Sequence, residues 1–120
     1  MIVGAVNDRL EAVLSLKLSG YDGRSHGVAA VIDTGYSGYL TLPPDLIQTL
    51  ALPRLGRGAA SLADGSEVSF DVYQSVIEWY GQDRTIQVDE ADTTPLVGMA
   101  MLEGHDLHIR VTEGGRVTIE

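Results

Sequence analysis

The residues of this chain best placed to do chemistry are Asp33, Thr34 and Gly35, which follow the apolar run Ala29-Ala30-Val31-Ile32. A carboxylate delivered at the end of a buried strand costs stability, because burial disfavours its charged form. Gly35 lets the backbone turn sharply after it, and Thr34 offers a hydroxyl for local hydrogen bonds. The chemistry open to such a carboxylate is general acid–base work on water. That work needs a second carboxyl in the opposite protonation state, so that one group takes a proton while the other donates one. The chain has a single Asp-Thr-Gly. Around Asp92, the segment ADTTP lacks the glycine and the preceding apolar strand, and reads as a turn ahead of Pro95. A plainer use of Asp33, capping a turn after a strand, stands beside the catalytic one.

The elements that must hold this loop read as short strands joined by tight turns, an all-β pattern. Ala12, Leu14, Leu16 and Leu18 alternate with more polar neighbours, and GYDG turns that strand back into SHGVAAVID, whose apolar centre suits a strand buried on both faces. YLTLP reads as another strand. PPDLIQTLAL carries the one helix signal, with prolines at its start, Asp45 early, and Leu46, Ile47 and Leu50 apolar. Two long strands follow, with Asp64-Gly65 as a type I′ hairpin signal and Gly81 marking a second turn. DEADTTP is turn-like, PLVGMAML is apolar, and HDLHIRVTEGGRVTIE reads as a last hairpin around Gly114-Gly115.

A chain of 120 residues is expected to form a single domain, residues 1–120. It has no cysteine, which excludes disulfides, thiolate metal sites and a thiol nucleophile. Seventeen acidic against eight basic residues give a net charge of -9, which repels phosphate backbones and makes nucleic acid an unsuitable partner. No apolar stretch approaches the roughly 20 residues that span a bilayer. The N-terminus shows neither a basic leader nor a long apolar segment, so a cytoplasmic, membrane-free location is expected. His26, His105 and His108 invite a metal reading. In HDLHIRV, however, Asp106, His108 and Arg110 share one strand face and Leu107, Ile109 and Val111 the other, which favours a solvated face over a metal site. Trp79 and Tyr80 beside Gly81 read as strand-end packing or interface residues.

Taken in order along the chain, VIDTG at Val31 to Gly35, the hairpin SLADGSEV and the later Leu96-Val97-Gly98 resemble the retropepsin-like aspartic proteases, and the wording DTGYSG, LADG and PLVGMAML is most similar to small bacterial members. The resemblance covers nearly the whole chain. It implies a closed, mostly β, barrel-like fold with one short helix, and an endopeptidase that uses water and no cofactor. In that family the catalytic aspartate comes from the Asp-Thr-Gly loop, here Asp33. Thr34 would hydrogen-bond to a partner's loop and Gly35 would keep the turn tight. A flap, here Leu62, Ala63, Asp64, Gly65 and Ser66, would close over an extended peptide or protein substrate bound as an added strand. Val31, Tyr36, Leu96 and Val97 would wall an apolar pocket. With one such loop per chain, a homodimer would supply the second carboxylate across a two-fold axis. Arg116 to Glu120 and Met1 to Ala5 are then interface candidates. The chain departs from the family pattern at Tyr36, where a small residue commonly follows the glycine, and at Met99, where viral members often carry arginine. A non-catalytic dimerising or peptide-binding module on the same fold remains the alternative, with a monomeric regulatory domain as a further one.

Overall fold

Ten strands and two helices appear in the computed structural model, which describes residues 1–120. The strands are β1 (Ile2–Val6), β2 (Ala12–Ser19), β3 (Ser25–Ile32), β4 (Leu40–Leu42), β5 (Arg54–Ser61), β6 (Glu67–Trp79), β7 (Gln82–Glu90), β8 (Leu96–Val97), β9 (Leu107–Ile109) and β10 (Arg116–Ile119). The helices are α1 (Pro44–Leu50) and α2 (Met99–Leu102). The expectation of an all-β fold holds, with one amendment: there are two helices. The second is a single turn inside the apolar segment after Gly98, too short to leave a helical period in the sequence.

The sheet runs β5-β6-β7-β4-β8-β3-β2-β1-β10-β9, and a further pairing of β2 with β6, through Leu18↔Ile77 and Ser19↔Val76, closes six of these strands into a ring. Alternation along β2 explains its inner face: Ala12, Leu14, Leu16 and Leu18 are buried while Ser15 and Lys17 are exposed. β3 also alternates. Val28 and Ala30 are buried but Ala29 is exposed, so β3 is covered on one face, contrary to the reading of a strand buried on both. The core is one cluster of 21 buried residues drawn from the ring, β1, β10, α1, α2 and Leu52 just after α1. Each large aliphatic member, such as Leu14, Leu40 or Val88, contributes about 1.5–3 kcal/mol by leaving water. α1 starts at Pro44 and ends where Ala51 takes a left-handed conformation; Ile47 and Leu50 face the core.

Two turns exchange the roles expected of them. Leu62 N–H donates to the Ser66 carbonyl and Gly65 N–H to the Leu62 carbonyl, and of the central residues only Gly65 has positive φ, +85°. The Asp64-Gly65 turn is therefore a three-residue loop with its glycine in the left-handed region, and not type I′. The type I′ signature of two successive positive φ values falls instead on Tyr80 (+54°) and Gly81 (+75°), between paired Trp79 and Gln82. The chain termini are used internally: Ile2–Ala5 pair antiparallel with Arg116–Ile119, and β9 flanks β10. An intersubunit sheet built from these strands would have to open those bonds. The free sheet edges are β5 and β9.

Candidate active site

β8 lies between β3 and β4, parallel to the first (Val31↔Leu96, Ile32↔Val97) and antiparallel to the second (Leu40↔Val97, Thr41↔Leu96). The loop from Asp33 to Tyr39, which joins β3 to β4, therefore crosses the end of β8. Backbone bonds knit the crossing: Asp33 N–H donates to the Val97 carbonyl at 2.9 Å, Gly98 N–H to Tyr39 at 3.0 Å, Met99 N–H to Tyr36 at 2.8 Å and Ala100 N–H to Gly38 at 3.1 Å. These bonds join the Asp-Thr-Gly loop to the later apolar-apolar-Gly segment and hold the Asp33 backbone on both sides.

Asp33 is half-buried, and its Oδ1 accepts from the Gly35 N–H at 3.0 Å. Gly35 is exposed and does not have positive φ. Its requirement for glycine is one of approach, since a Cβ there would stand 3.3 Å from Asp33 Oδ1. Thr34 is exposed, and its hydroxyl makes no hydrogen bond within the chain.

Tyr36 is the residue where this loop departs most from a plain turn. Its hydroxyl donates to Asp89 Oδ2 at 2.6 Å, across 53 positions of sequence. Burial of the ring, and then the bond to the Asp89 carboxylate, push its phenol well above the ordinary value of 10.0. The ring also lies against two glycines: a Cβ on Gly98 would meet Tyr36 Cδ2 at 2.6 Å and the Gly38 carbonyl oxygen closer still, and one on Gly38 would meet the ring edge. Tyr36 thus ties the loop, the start of α2 and the end of β7 together.

Above this residue lies a cavity of about 470 Å³ between the end of β7 and the β5–β6 hairpin. Strand register places Gly58 opposite Phe70 and Ala60 opposite Val68, so Ala60, Val68 and Phe70 share the hairpin's inner face. Of the expected substrate-contacting residues, Tyr36 lines this cavity. The hairpin tip, Leu62 to Ser66, is exposed and does not line it. At the tip, Asp64 Oδ1 accepts from Ser66 Oγ at 2.6 Å and from Ser66 N–H at 2.9 Å, and these bonds hold the Asp64 carboxyl below its usual range. Val31 and Leu96 are half-buried neighbours in register. Val97 is fully buried and packs the ring interior. Ala60, Val68, Phe70, Thr41 and Asp89 line the cavity without having been expected there. The alternation of β5 and β6 carried a signal for the first three; nothing local marks Asp89.

His108 is exposed on β9, and His105 stacks on Tyr80 with centroids 4.9 Å apart and meets Trp79 edge-on at 6.0 Å.

No protein-family model and no curated protein sequence matches the chain. Among solved structures it is similar to the crystal structure of a retropepsin-like aspartic protease from Rickettsia conorii, with a TM-score of 0.58 and 15% sequence identity, over 98% of this chain and 89% of that one. With the ring, the crossed loop and the overlying hairpin in place, the fold of this chain is that of a retropepsin-like aspartic protease.

Proposed function

We propose that the chain is an aspartic endopeptidase, active as a homodimer in which Asp33 of each copy supplies one carboxyl. The observation that carries this reading is the Asp33 loop itself: a half-buried carboxylate fixed by backbone bonds on both flanks, with the Thr34 hydroxyl exposed and free to bond across to a second copy. The protease-like fold supports the same reading. Met99, exposed and bonded through its N–H to the Tyr36 carbonyl, stands beside the loop on the surface we assign to the dimer contact.

In the dimer, two carboxylates about 3 Å apart repel by roughly 5 kcal/mol at an effective dielectric of about 20, worth about four pKa units. They share one proton, as aspartic-protease dyads do. The ionised member takes a proton from water, the water oxygen adds to the peptide carbonyl carbon, and the protonated member donates to the carbonyl oxygen. Proton transfer to the departing nitrogen then breaks the C–N bond. The pair titrates as a unit, so activity is bell-shaped in pH with its maximum on the acidic side of neutrality.

The test is cleavage of a peptide library by wild type, by Asp33→Asn and by mixtures of the two. Asp33→Asn abolishes cleavage and leaves the dimer. After subunit exchange, an equimolar mixture retains about a quarter of the activity of the same total amount of wild type, because only pairs of two wild-type chains have both carboxyls. Retention of about half would mean that each chain works alone; absence of cleavage by wild type at any pH would leave a binding module.

A further inference from the structure

The cavity above Tyr36 has two unlike ends. Its hairpin side is mostly hydrocarbon, from Ala60, Val68 and Phe70 beside Ser69, with Gly58 leaving room for the Phe70 ring, which a Cβ at that position would meet at 2.7 Å. Its opposite side carries carboxylates. Asp89 pairs with Val72 across the β6–β7 register and so shares the face of Phe70 and Val72. One of its oxygens, Oδ2, is occupied by the Tyr36 hydroxyl; Oδ1 has no partner in the chain. Glu90, the last residue of β7, and Asp92, just beyond it, line the same cavity; Glu90 is half-buried and Asp92 is exposed.

No cation of the chain serves this end. The ion pairs formed are Lys17–Glu78, His26–Asp22, Arg54–Asp71 and Arg57–Asp71. The nearest of these cations along the hairpin, Arg57, lines a neighbouring hollow that Asp89 also borders, but its guanidinium is paired with Asp71 and bonds Ser69, not Asp89. The cavity is lined by no Lys, Arg or His.

From this arrangement we infer that the cavity is a side-chain subsite selecting Lys or Arg in a bound peptide, an inference that rests on the peptidase reading above. The hydrocarbon wall takes the methylene stem of such a side chain, and its charged head meets the carboxylate end formed by Asp89, Glu90 and Asp92. A purely apolar side chain would fill the same wall but would cover the free Asp89 oxygen with hydrocarbon and leave it unpaired, a cost that a donor cation removes. An acidic side chain would be repelled. Arginine fits best, because its fork can hold two acceptors at once. The tyrosine bond fixes the Asp89 carboxylate in place before the ligand arrives, which limits the ordering cost of binding. The net charge of -9 adds long-range attraction for a basic peptide.

The experiment uses matched peptides carrying Arg, Lys, norleucine or Glu at one position, scanned along the peptide. Their binding to Asp33→Asn is followed by fluorescence anisotropy, and their cleavage by the wild-type chain is followed in parallel. At one position the Arg peptide binds at least about tenfold more tightly than the norleucine peptide, with Glu weakest, and the gap narrows as salt rises. Asp89→Asn keeps an oxygen acceptor for Tyr36 while removing the charge. Combined with Glu90→Gln and Asp92→Asn, it brings Arg and norleucine within about twofold. Asp92→Lys, at an exposed position, inverts the order of Arg and Glu. Glu78→Gln removes one charge eight residues along β6 from Phe70 and leaves the Arg-to-norleucine ratio unchanged, which separates local recognition from net charge. Norleucine equal to Arg at every position, or an Arg preference that survives the triple substitution, overturns the inference. Cleavage without a basic preference refutes the subsite while the peptidase reading stands. Basic-selective binding lost in the triple variant, with no cleavage by wild type, refutes the peptidase reading while the subsite stands.

Discussion

Replacing Tyr36 by phenylalanine removes one oxygen from the point where three elements meet. In the native chain that oxygen donates to Asp89 at 2.6 Å. Hydrogen bonds to charged groups contribute about 1.5–3 kcal/mol, and because Asp89 is only half-buried, water recovers part of the loss. The net destabilisation should be about 1–2 kcal/mol at neutral pH, seen as a fall of about 4–8 °C in Tm for a domain of this size. The ring remains in Tyr36→Phe, so packing on Gly38 and Gly98 is kept. Tyr36→Ala loses both and should cost about 2–4 kcal/mol.

The same residue gives the stability curve an alkaline limb. The Tyr36 phenol is raised in the folded chain above its ordinary 10.0 by burial and by Asp89, so folding favours its protonated form. Between the unfolded and the folded values the native state holds the proton that the unfolded state has released. The contribution is therefore fully present below pH 10 and declines as pH rises above it, by up to about 1.4 kcal/mol per pH unit. Tyr36→Phe lacks this limb. Urea unfolding of both proteins at pH 7 and pH 10.5 measures the difference directly. If the two proteins unfold alike at pH 7 and lose stability in parallel on the alkaline side, the three-way tie assigned to Tyr36 is wrong.

Gly98→Ala should destabilise the fold by about 1–3 kcal/mol or more, since its methyl would press on the Gly38 carbonyl and the Tyr36 ring, neither of which can move without breaking the loop crossing; circular dichroism melts read this. Gly35→Ala, exposed and 3.3 Å from one carboxylate oxygen, should melt within about 2 °C of wild type yet lower peptide cleavage, and a large drop in Tm would refute the approach argument. His105→Ala removes a parallel stack on Tyr80 and an edge contact with Trp79, and should cost about 0.5–1.5 kcal/mol in urea unfolding without changing the pH profile of cleavage.

What the sequence made legible was local. The β2–β3 hairpin, the α1 proline start and the Asp-Thr-Gly loop depend on residues within a few positions of one another, and each lies where its pattern indicated. β8 is two residues long, too short for any periodicity, and its place between β3 and β4 follows from pairings some 60 positions apart. The glycine dipeptide rule failed at Asp64-Gly65 because the Asp64 side chain bonds Ser66 and stabilises a three-residue loop. It also gave no warning that Tyr80 would take a left-handed φ, which its stack on His105 and its hydroxyl bond to the Ile119 carbonyl maintain against local preference. Val97 and Leu96 differ only in which face of β8 they occupy, and an apolar pair carries no sign of that.

Tyr36 also bears on why recognition and chemistry would be joined in this chain. A small residue in its place would leave the loop held to β8 and α2 by backbone bonds, with no connection to β7. With tyrosine, the backbone three residues from Asp33 is linked through one ring to the carboxylate that lines the cavity under the hairpin. A cation placed on Asp89 Oδ1 would leave Oδ2 to the Tyr36 hydroxyl, so both can be bound to the one carboxylate at once. Under the proposed function, a bound side chain then holds in place the carboxylate to which the Asp33 loop is tied. Such a link shows itself as a change in kcat together with KM when Asp89 is neutralised, whereas a pocket that only holds substrate would change KM alone.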